Sequence, residues 1–243
     1  MHPERQTMRT IGIIGGMSWY STIEYYRIIN TIVAQELGGH YSAPILLESL
    51  DFKPVRACQV AEDWPGAEKI LADSARRLEQ AGAETVVIAT NLMHRTAPAV
   101  QAAVTVPLLH ICDAIAAVAR RKEVTTVGVI GTKWVMGETF YTDRLAQHGI
   151  TTLVPPACEH ADIDRVVFDE LTKGTVTDAS RAYYIRMIEG LKERGAQAIV
   201  LGCTEIEHLI TDECSPLPII DSMHSHAEAC ADFVLGRWDG NPH

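Results

Sequence analysis

LEQAGAETVVIATNL, at residues 78–92, is repeated without a gap as LKERGAQAIVLGCTE at residues 191–205. Each copy has the pattern of a helix end, a Gly-Ala turn, a continuously apolar strand and a polar tip. The alignment places Thr90 of the first copy on Cys203 of the second. The sequence therefore predicts two copies of one α/β unit, each with a small polar residue at the end of a central strand.

The strands that open the two halves are repeated as well, because IGIIGG at residues 11–16 aligns with VGVIGT at residues 127–132. Along the chain, apolar runs alternate with segments of helical period, which is typical of an α/β fold with a mostly parallel sheet. The predicted strands lie near residues 10–15, 43–49, 84–90, 106–110, 125–131 and 197–202. The predicted helices lie near residues 20–37, 65–81, 133–147, 158–173, 178–194 and 222–236.

We expect two pseudo-symmetric lobes, each a mostly parallel sheet flanked by helices. The first would comprise residues 8–107 plus 222–243 and the second residues 108–221, with residues 1–7 a flexible N-terminus. Ligands of such sheets bind at the carboxyl ends of the strands. Four of these ends carry glycine and polar residues that we expect to line one cleft between the lobes: residues 15–18, 90–91, 131–132 and 202–205.

The charge balance excludes several classes of partner. The 243 residues include 31 acidic and 21 basic side chains, for a formal net charge of −10. No run of Lys and Arg is interleaved with aromatic residues, so we expect no nucleic-acid partner. No apolar stretch approaches the ~20 residues of a membrane span or the core of a signal peptide. We therefore expect no membrane partner and a cytoplasmic location.

The six cysteines lack C-x-x-C spacing and are too few for a disulfide scaffold of this length, which favours a reduced compartment and no bound metal. Cys203 stands apart because it follows an apolar strand and Gly202 and precedes a short helical stretch. Amides at a helix N-terminus lower the pKa of a thiol. A free cysteine more commonly just packs in the core, which is our interpretation of Cys58, Cys112, Cys158, Cys214 and Cys230.

The Gly15-Gly16 turn lies between a predicted strand and a predicted helix. It lacks the G-x-G-x-x-G spacing of a dinucleotide site. Amides at the start of the helix would suit a carboxylate or phosphate, and a merely structural turn is the alternative.

Taken together, the motifs resemble those of the aspartate/glutamate racemases, a family that works without a cofactor. The resemblance covers nearly the whole chain and is carried by residues 11–18 (IGIIGGMS), 89–94 (ATNLMH), 131–132 (GT), 202–205 (GCTE) and 220–221 (ID). In that family two cysteines, one from each lobe, act on opposite faces of the substrate α-carbon. Here Thr90 stands where the first cysteine would be. This substitution, with Ser18-Trp19, Ser49-x-Asp51-Phe52 and Met93-His94, resembles the L-aspartate/glutamate-specific subgroup.

The resemblance implies an isomerase in which Cys203 removes the α-proton of an acidic L-amino acid and Thr90 serves the opposite face. It also implies a homodimer. Without a pyridoxal cofactor, donors aimed at the substrate carboxylate must stabilise the enediolate. Backbone amides after Gly15, Thr90, Gly131 and Cys203 are candidate donors. The expected substrate-binding residues are Met17, Ser18, Asn91, Leu92, Thr132, Lys133, Thr204 and Glu205.

The hydroxyl of Thr90 is a poor chemical counterpart of the Cys203 thiol. A hydroxyl can return a proton to a strongly basic carbanion but can hardly remove one without a partner base. Three alternatives stay open: a slow D direction with a compensating low KM, a Thr90 assisted by another group, or a weak racemase with a different physiological task. His94, four residues further on, is the candidate helper, with a capping or packing histidine as the alternative. Glu205 either supports Cys203 or is a helix-terminal acid favoured by the dipole.

The side-chain carboxylate of the substrate needs a cation. By resemblance the candidates are Arg56 and Lys173, both displaced by about one position from the family pattern, and Lys133 is a third. Aspartate and glutamate are not distinguished. Two other functions stay open: a single-cysteine decarboxylase of the arylmalonate kind, and a binding protein with a decayed site, which a ligand would stabilise without turnover.

Overall fold

The computed structural model describes residues 8–238. These residues form two compact units. The first contains the described residues up to His110 and those from His226 onward, and the second is Ile111–Ser225. The predicted flexible segment 1–7 and the last five residues of the predicted first lobe lie outside the described part. Within that part, no helix is both long enough and apolar enough to span a bilayer.

The first unit is a four-stranded parallel sheet with helices between the strands. Its strand order is β2-β1-β3-β4. The strands are β1 (Ile11–Gly15), β2 (Ile45–Ser49), β3 (Thr85–Ile88) and β4 (Leu108–Leu109). The helices are α1 (Trp19–Leu37), α2 (Phe52–Ala61), α3 (Trp64–Gln80) and α4 (Ala97–Ala102), with a 3-10 turn at Leu92–Thr96.

The second unit has the same topology, with strand order β6-β5-β7-β8 and all pairs parallel. Its strands are β5 (Thr126–Gly131), β6 (Thr151–Leu153), β7 (Ala198–Gly202) and β8 (Ile219–Asp221). Its helices are α5 (Ile111–Arg121), α6 (Lys133–Gly137), α7 (Thr139–Gln147), α8 (His160–Arg165) and α9 (Asp178–Glu193), and α10 (Ser222–Val234) begins in it. Short turns occupy Ala157–Glu159, Val166–Glu170, Leu171–Lys173 and Thr204–His208. The expected α/β class with two parallel sheets is confirmed.

The repeated segment adopts the same backbone in both units. Gly82 and Gly195 both have φ of 101°, a region that favours glycine, and each ends the turn after a long helix. The strands that follow, β3 and β7, are buried at every position. Each is the third strand of its sheet, with helices on both faces, which explains why its sequence is continuously apolar.

Several elements differ from those that the sequence predicted. The helices α2, α4 and α5 and the short strands β6 and β8 were not predicted. The predicted helix 133–147 is two helices, because Glu138 has extended backbone angles (φ −106°, ψ 160°). The predicted helix 158–173 is a 3-10 turn, the short α8, a π-helical segment and a second 3-10 turn.

The residues of α10 from His226 onward pack within the first unit. The Tyr25 hydroxyl donates to His226 Nδ1 at 2.8 Å, and His226 Nε2 donates to the carbonyl oxygen of Leu109 at 2.9 Å. A neutral imidazole, with one donor and one acceptor nitrogen, satisfies both bonds at once. The buried His226 thus links α1, β4 and α10.

Gly16 shapes the carboxyl end of β1. Its φ is +85°, and a Cβ atom there would overlap the backbone of Leu50, in the loop after β2. The loops that follow two neighbouring strands therefore touch at a position where only glycine fits.

We predict that Gly16→Ala lowers the free energy of unfolding by about 2–4 kcal/mol, because left-handed strain and overpacking add together. Gly190→Ala is the control, since Gly190 lies in α9 with open space around it and without a positive φ. That change should stabilise the protein by about 0.5–1 kcal/mol. Urea unfolding measures both, and equal midpoints for Gly16→Ala and wild type would contradict the assignment.

Candidate active site

Two of the polar strand ends meet in the second unit. Gly131 and Gly202 are register partners at the last positions of β5 and β7. A Cβ atom at Gly131 would lie 3.0 Å from the Gly202 carbonyl oxygen, so the strands approach closely there. Thr132 and Cys203 come directly after these glycines. Parallel pairing thus brings them to the same edge of the sheet, as the sequence predicted for each strand end.

Cys203 shares a carboxylate oxygen with its neighbour. Its thiol donates to Glu205 Oε2 at 2.9 Å, and the Thr204 hydroxyl donates to the same oxygen at 2.8 Å. The partly buried Cys203 also packs against the hydrophobic core of the unit.

Burial raises the pKa of the Cys203 thiol well above its ordinary value. The negative charge of Glu205 and its hydrogen bond raise the pKa further, and Asp164 adds a smaller effect in the same direction. The expectation of a lowered pKa is wrong. The helix after Cys203 is only a 3-10 turn, Thr204–His208, and the one amide that lowers the pKa, that of Glu205, is outweighed by burial and by the Glu205 carboxylate.

Thr132 carries a buried hydroxyl that has no hydrogen-bond partner within the described structure. The residue is 6% exposed and precedes α6. Buried polar atoms are nearly always paired, so the Thr132 hydroxyl, which lies at a strand end, is a candidate ligand contact. His148 Nδ1 and Thr152 Oγ1 are also buried without a partner among the described residues.

Lys133, another expected substrate-binding residue, is the first residue of α6. Its backbone amide donates to Asp164 Oδ1 at 3.0 Å. Its side chain is exposed, and the ammonium nitrogen lies 4.4 Å from the centroid of the Trp134 ring. The amide after Thr132 is therefore engaged within the protein, and the ammonium group lies at the surface.

In the first unit, a side chain of the following helix, α1, accepts a hydrogen bond from the Gly15-Gly16 turn. The Gly16 amide donates to Thr22 Oγ1 at 2.9 Å, and this hydroxyl donates to the Ser18 carbonyl oxygen at 2.9 Å. The Gly16 amide is thus not available to an anion, which corrects the expectation of a free amide directly after Gly15. Ser18 precedes α1 without a side-chain capping bond, and the Met17 side chain is buried.

The Thr90 segment lies at the end of β3, beside β1. Thr90 is partly exposed, whereas Asn91, Leu92 and Met93 are buried. His94 is buried as well, and its Nδ1 donates to the backbone carbonyl oxygen of Thr90 at 2.8 Å. This contact holds the backbone of the Thr90 segment. It agrees with the alternative interpretation of His94, a capping or packing histidine. Assistance to the Thr90 hydroxyl stays an untested prediction.

The two candidate cations have different surroundings. Arg56, on α2, donates from Nη1 to Gln59 Oε1 at 3.1 Å. Lys173 is exposed and pairs with Asp169 across one helical turn at 3.4 Å. Among the described residues, Gln59 and Asp164 were not predicted, because neither belongs to a recognisable motif.

Two further features of residues 8–238 concern possible ligands. No group of three or more His, Cys, Asp and Glu side chains there is arranged to hold a metal ion. A shallow open depression on α2 has an almost wholly apolar surface and is bordered by Phe52, Lys53, Arg56 and Val60. One candidate cation, Arg56, therefore lies at its border.

Comparison with known proteins gives a consistent result. The Asp/Glu/Hydantoin racemase family model matches residues 14–230. The fold is similar to that of a candidate Asp/Glu racemase from Yersinia pestis, at 41% identity and a TM-score of 0.89, over 94% of this chain and all of that one. An aspartate racemase homologue from Pyrococcus horikoshii is 30% identical with a TM-score of 0.79, over 93% of this chain and 99% of that one. The aspartate racemase of Picrophilus torridus, 22% identical over 94% of both chains with a TM-score of 0.69, shares the fold.

We predict that Glu205→Gln lowers the pH at which Cys203 ionises, because the change removes the negative charge nearest the thiol and keeps the shape of the side chain. Thiolate absorbance against pH measures this, with Cys203→Ser subtracted to remove the other five thiols. Glu207→Gln, two residues along the same turn, is the matched control. An unchanged or raised midpoint in Glu205→Gln would show that Glu205 does not set the pKa.

Proposed function

Because the chain belongs to the Asp/Glu/Hydantoin racemase family, we propose that it interconverts the L and D forms of an acidic amino acid, aspartate or glutamate. As an amino-acid racemase it is an isomerase. The observation that supports this proposal best is the hydrogen bond from the Cys203 thiol to the Glu205 carboxylate, at the strand end next to the unpaired hydroxyl of Thr132. Racemisation needs a strong base at the α-carbon and donors at the carboxylate, and these two groups have the required chemistry.

Cys203 is the proposed base for the L form. The resting thiol is protonated, because burial and Glu205 raise its pKa. It must therefore ionise before it can accept the α-proton. Glu205 Oε2 already accepts the thiol hydrogen bond and is the nearest place for that proton. The positive ammonium group of an amino acid would also offset the negative charge of Glu205 and Asp164 and so favour the thiolate.

The substrate α-carboxylate would bind at the orphaned Thr132 hydroxyl. When the C–H bond breaks, its electron pair moves into the carboxylate as an enediolate, and a donor there stabilises the new charge. Thr132 is buried, so its bond is made in surroundings where a hydrogen bond to a charged oxygen is strong. The amide of Asn91 is a second proposed donor.

Thr90 is the proposed group for the opposite face. It would give its hydroxyl proton to the carbanion to form the D enantiomer and recover a proton from solvent or a neighbouring group. A threonine alkoxide is far more basic than a thiolate, so removal of a proton from the D form would be the harder step. The two kcat/KM values must still balance, because the enantiomers are equal in energy.

Arg56 is the proposed partner of the side-chain carboxylate. Arg56 lies on α2, the helix that follows β2. Because β2 and β3 both run parallel to β1, α2 begins at the edge of the sheet where Thr90 lies. Arg forms paired hydrogen bonds with carboxylates, which suits recognition of a second acidic group. Lys173 is the weaker candidate, because it is exposed and already paired with Asp169.

We also propose that two copies of the chain associate through an apolar patch on α1. Trp19, Ile23 and Tyr26 follow one face at helical spacing and are 51–53% exposed, and Tyr20 is 67% exposed beside them. Leu47, on the edge strand β2, is also exposed and lies on the α1 side of the sheet, because it borders Gly15 together with Thr22.

The size and charge of this patch favour a second copy as its partner. An aromatic side chain carries about 150–250 Å², so the five half-exposed side chains present roughly 500 Å² of apolar surface. A standard interface buries about 800 Å² per partner, of which this patch could form the core. Glu24 and Arg27 pair with each other beside the patch. An antiparallel copy of the helix would therefore meet a charge pattern complementary to its own.

Three further expectations stay predictions: the cytoplasmic location, the absence of a nucleic-acid partner and the predicted bounds of the two lobes.

We predict that the protein exchanges the α-proton of L-aspartate or L-glutamate in deuterium oxide, as followed by loss of the NMR signal. Cys203→Ser should slow exchange from the L form by at least about 100-fold, because a hydroxyl is a poor base. Thr90→Cys should speed exchange from the D form by about tenfold or more, since a thiol ionises more readily. If no acidic amino acid exchanges, the proposal fails, and release of carbon dioxide from an arylmalonate would then support the lyase.

We predict that Ile23→Lys converts a dimer into a monomer at micromolar concentration, because it places two like charges at the centre of the proposed interface. Light scattering during size exclusion measures the mass. Val60→Lys is the matched control, since Val60 is 68% exposed on α2, away from the patch residues of α1. A wild-type monomer, or a dimer in Ile23→Lys, would contradict this interface.

A further inference from the structure

Asp164 is a partly buried carboxylate without a cationic partner among residues 8–238. It lies on α8, and its Oδ1 accepts from the Lys133 backbone amide at 3.0 Å. It makes no ion pair in this part of the chain, because the Lys133 ammonium lies over the Trp134 ring and the neighbouring Arg165 pairs with other acids. A carboxylate that is partly withdrawn from water without a counter-charge is unfavourable. Its surroundings therefore favour a cationic ligand.

The position of Asp164 joins it to the proposed catalytic groups of the second unit. Its bond to the Lys133 amide holds it against the peptide that joins Thr132 to Lys133. Its negative charge also reaches Cys203, where it is one cause of the raised pKa of the thiol. Because β5 pairs with β7, Thr132 and Cys203 lie at the same edge of the sheet. Asp164 thus shares one end of the second sheet with both residues.

A second carboxylate increases the negative charge at this place. Glu205 Oε2 accepts from Cys203 and from Thr204, and Glu205 makes no ion pair within the described part of the chain. In the proposed mechanism the thiol itself becomes anionic, which adds a third negative charge. The described side chains are not arranged to hold a metal ion. An ammonium group, with three N–H donors and one positive charge, fits these acceptors better.

The geometry of an α-amino acid matches the two neighbouring groups. Its ammonium and carboxylate groups are attached to the same carbon atom, so they must bind side by side. The unpaired hydroxyl of Thr132 suits the carboxylate, and Asp164, held at the next peptide, suits the ammonium group. A hydroxy acid has no cation to offer Asp164. A malonate has two negative charges and no cation, so Asp164 would oppose its binding.

We propose that Asp164 binds the α-ammonium group of the substrate and so restricts the site to α-amino acids, against hydroxy acids and malonates. The proposal rests on the function proposed above. It predicts that removal of the charge at position 164 weakens only ligands that carry the ammonium group, whereas a structural role would affect all ligands alike.

The experiment compares an amino acid with its hydroxy acid. Titration calorimetry measures Kd for L-aspartate and for L-malate, in which a hydroxyl group replaces the ammonium group, and then for L-glutamate and L-2-hydroxyglutarate. Racemisation adds no net heat, because enantiomers are equal in enthalpy. The variant Asp164→Asn removes the charge and keeps an oxygen that can accept from the Lys133 amide. Asp162→Asn, at an exposed position of the same helix, is the matched control.

We expect the wild type to bind the amino acid about tenfold to a hundredfold more tightly than the hydroxy acid, because a charge-assisted bond replaces a weaker one. Asp164→Asn should raise Kd for the amino acid about tenfold or more. The Kd for the hydroxy acid should stay the same or fall, since a negative charge near its carboxylates is removed. Asp162→Asn should change neither value.

Three results would overturn the proposal. Equal Kd values for the amino acid and the hydroxy acid in wild type would show that the ammonium group is not recognised. Equal weakening of both ligands in Asp164→Asn would show a structural role only, and an unaltered Kd for the amino acid would assign the ammonium group to another residue. A wild type that binds the amino acid without α-proton exchange refutes the proposed function alone, whereas absence of binding refutes both.

Discussion

Parallel pairing of β1 with β3 and of β5 with β7 is the constraint on which the site depends. Parallel strands bring their carboxyl ends to one edge of the sheet, so residues that are distant in sequence become neighbours. In the second unit this pairing places Thr132 beside Cys203. Because helices cover both faces, the central strands β1, β3, β5 and β7 are largely apolar, and the polar residues Thr90, Thr132 and Cys203 come where these strands end.

The surroundings of Cys203 oppose ionisation in the resting protein. Burial and the Glu205 carboxylate hold the pKa of the thiol high, while the same carboxylate accepts its hydrogen bond. Nearby, Thr132 keeps a buried hydroxyl without a partner, at a cost to stability. In the proposed function, the ammonium group and the carboxylate of an amino acid would offset these two unfavourable features. This is the pattern expected where a fold gives up some stability for function.

Two arginines of the fold donate to different kinds of acceptor. The ion pair between Asp113 and Arg144 joins α5 to α7, and His148 Nε2 donates to the same carboxylate at 2.7 Å. These contacts hold two helices of the second unit together. Arg56, on α2 in the first unit, donates to the amide oxygen of Gln59.

The α/β class, the internal repeat and the polar strand ends could be predicted from the sequence, since they follow from local periodicity and from glycines such as Gly82 and Gly195 that a turn requires. The break at Glu138 was not predicted, and neither was the short helix α2, although Asp51 caps its first turn by accepting from the Lys53 amide. The pKa of Cys203 and the bond between Gln59 and Met93 followed only from the tertiary structure. Those properties arise from burial and from contacts between distant residues, and neither is written in a local pattern.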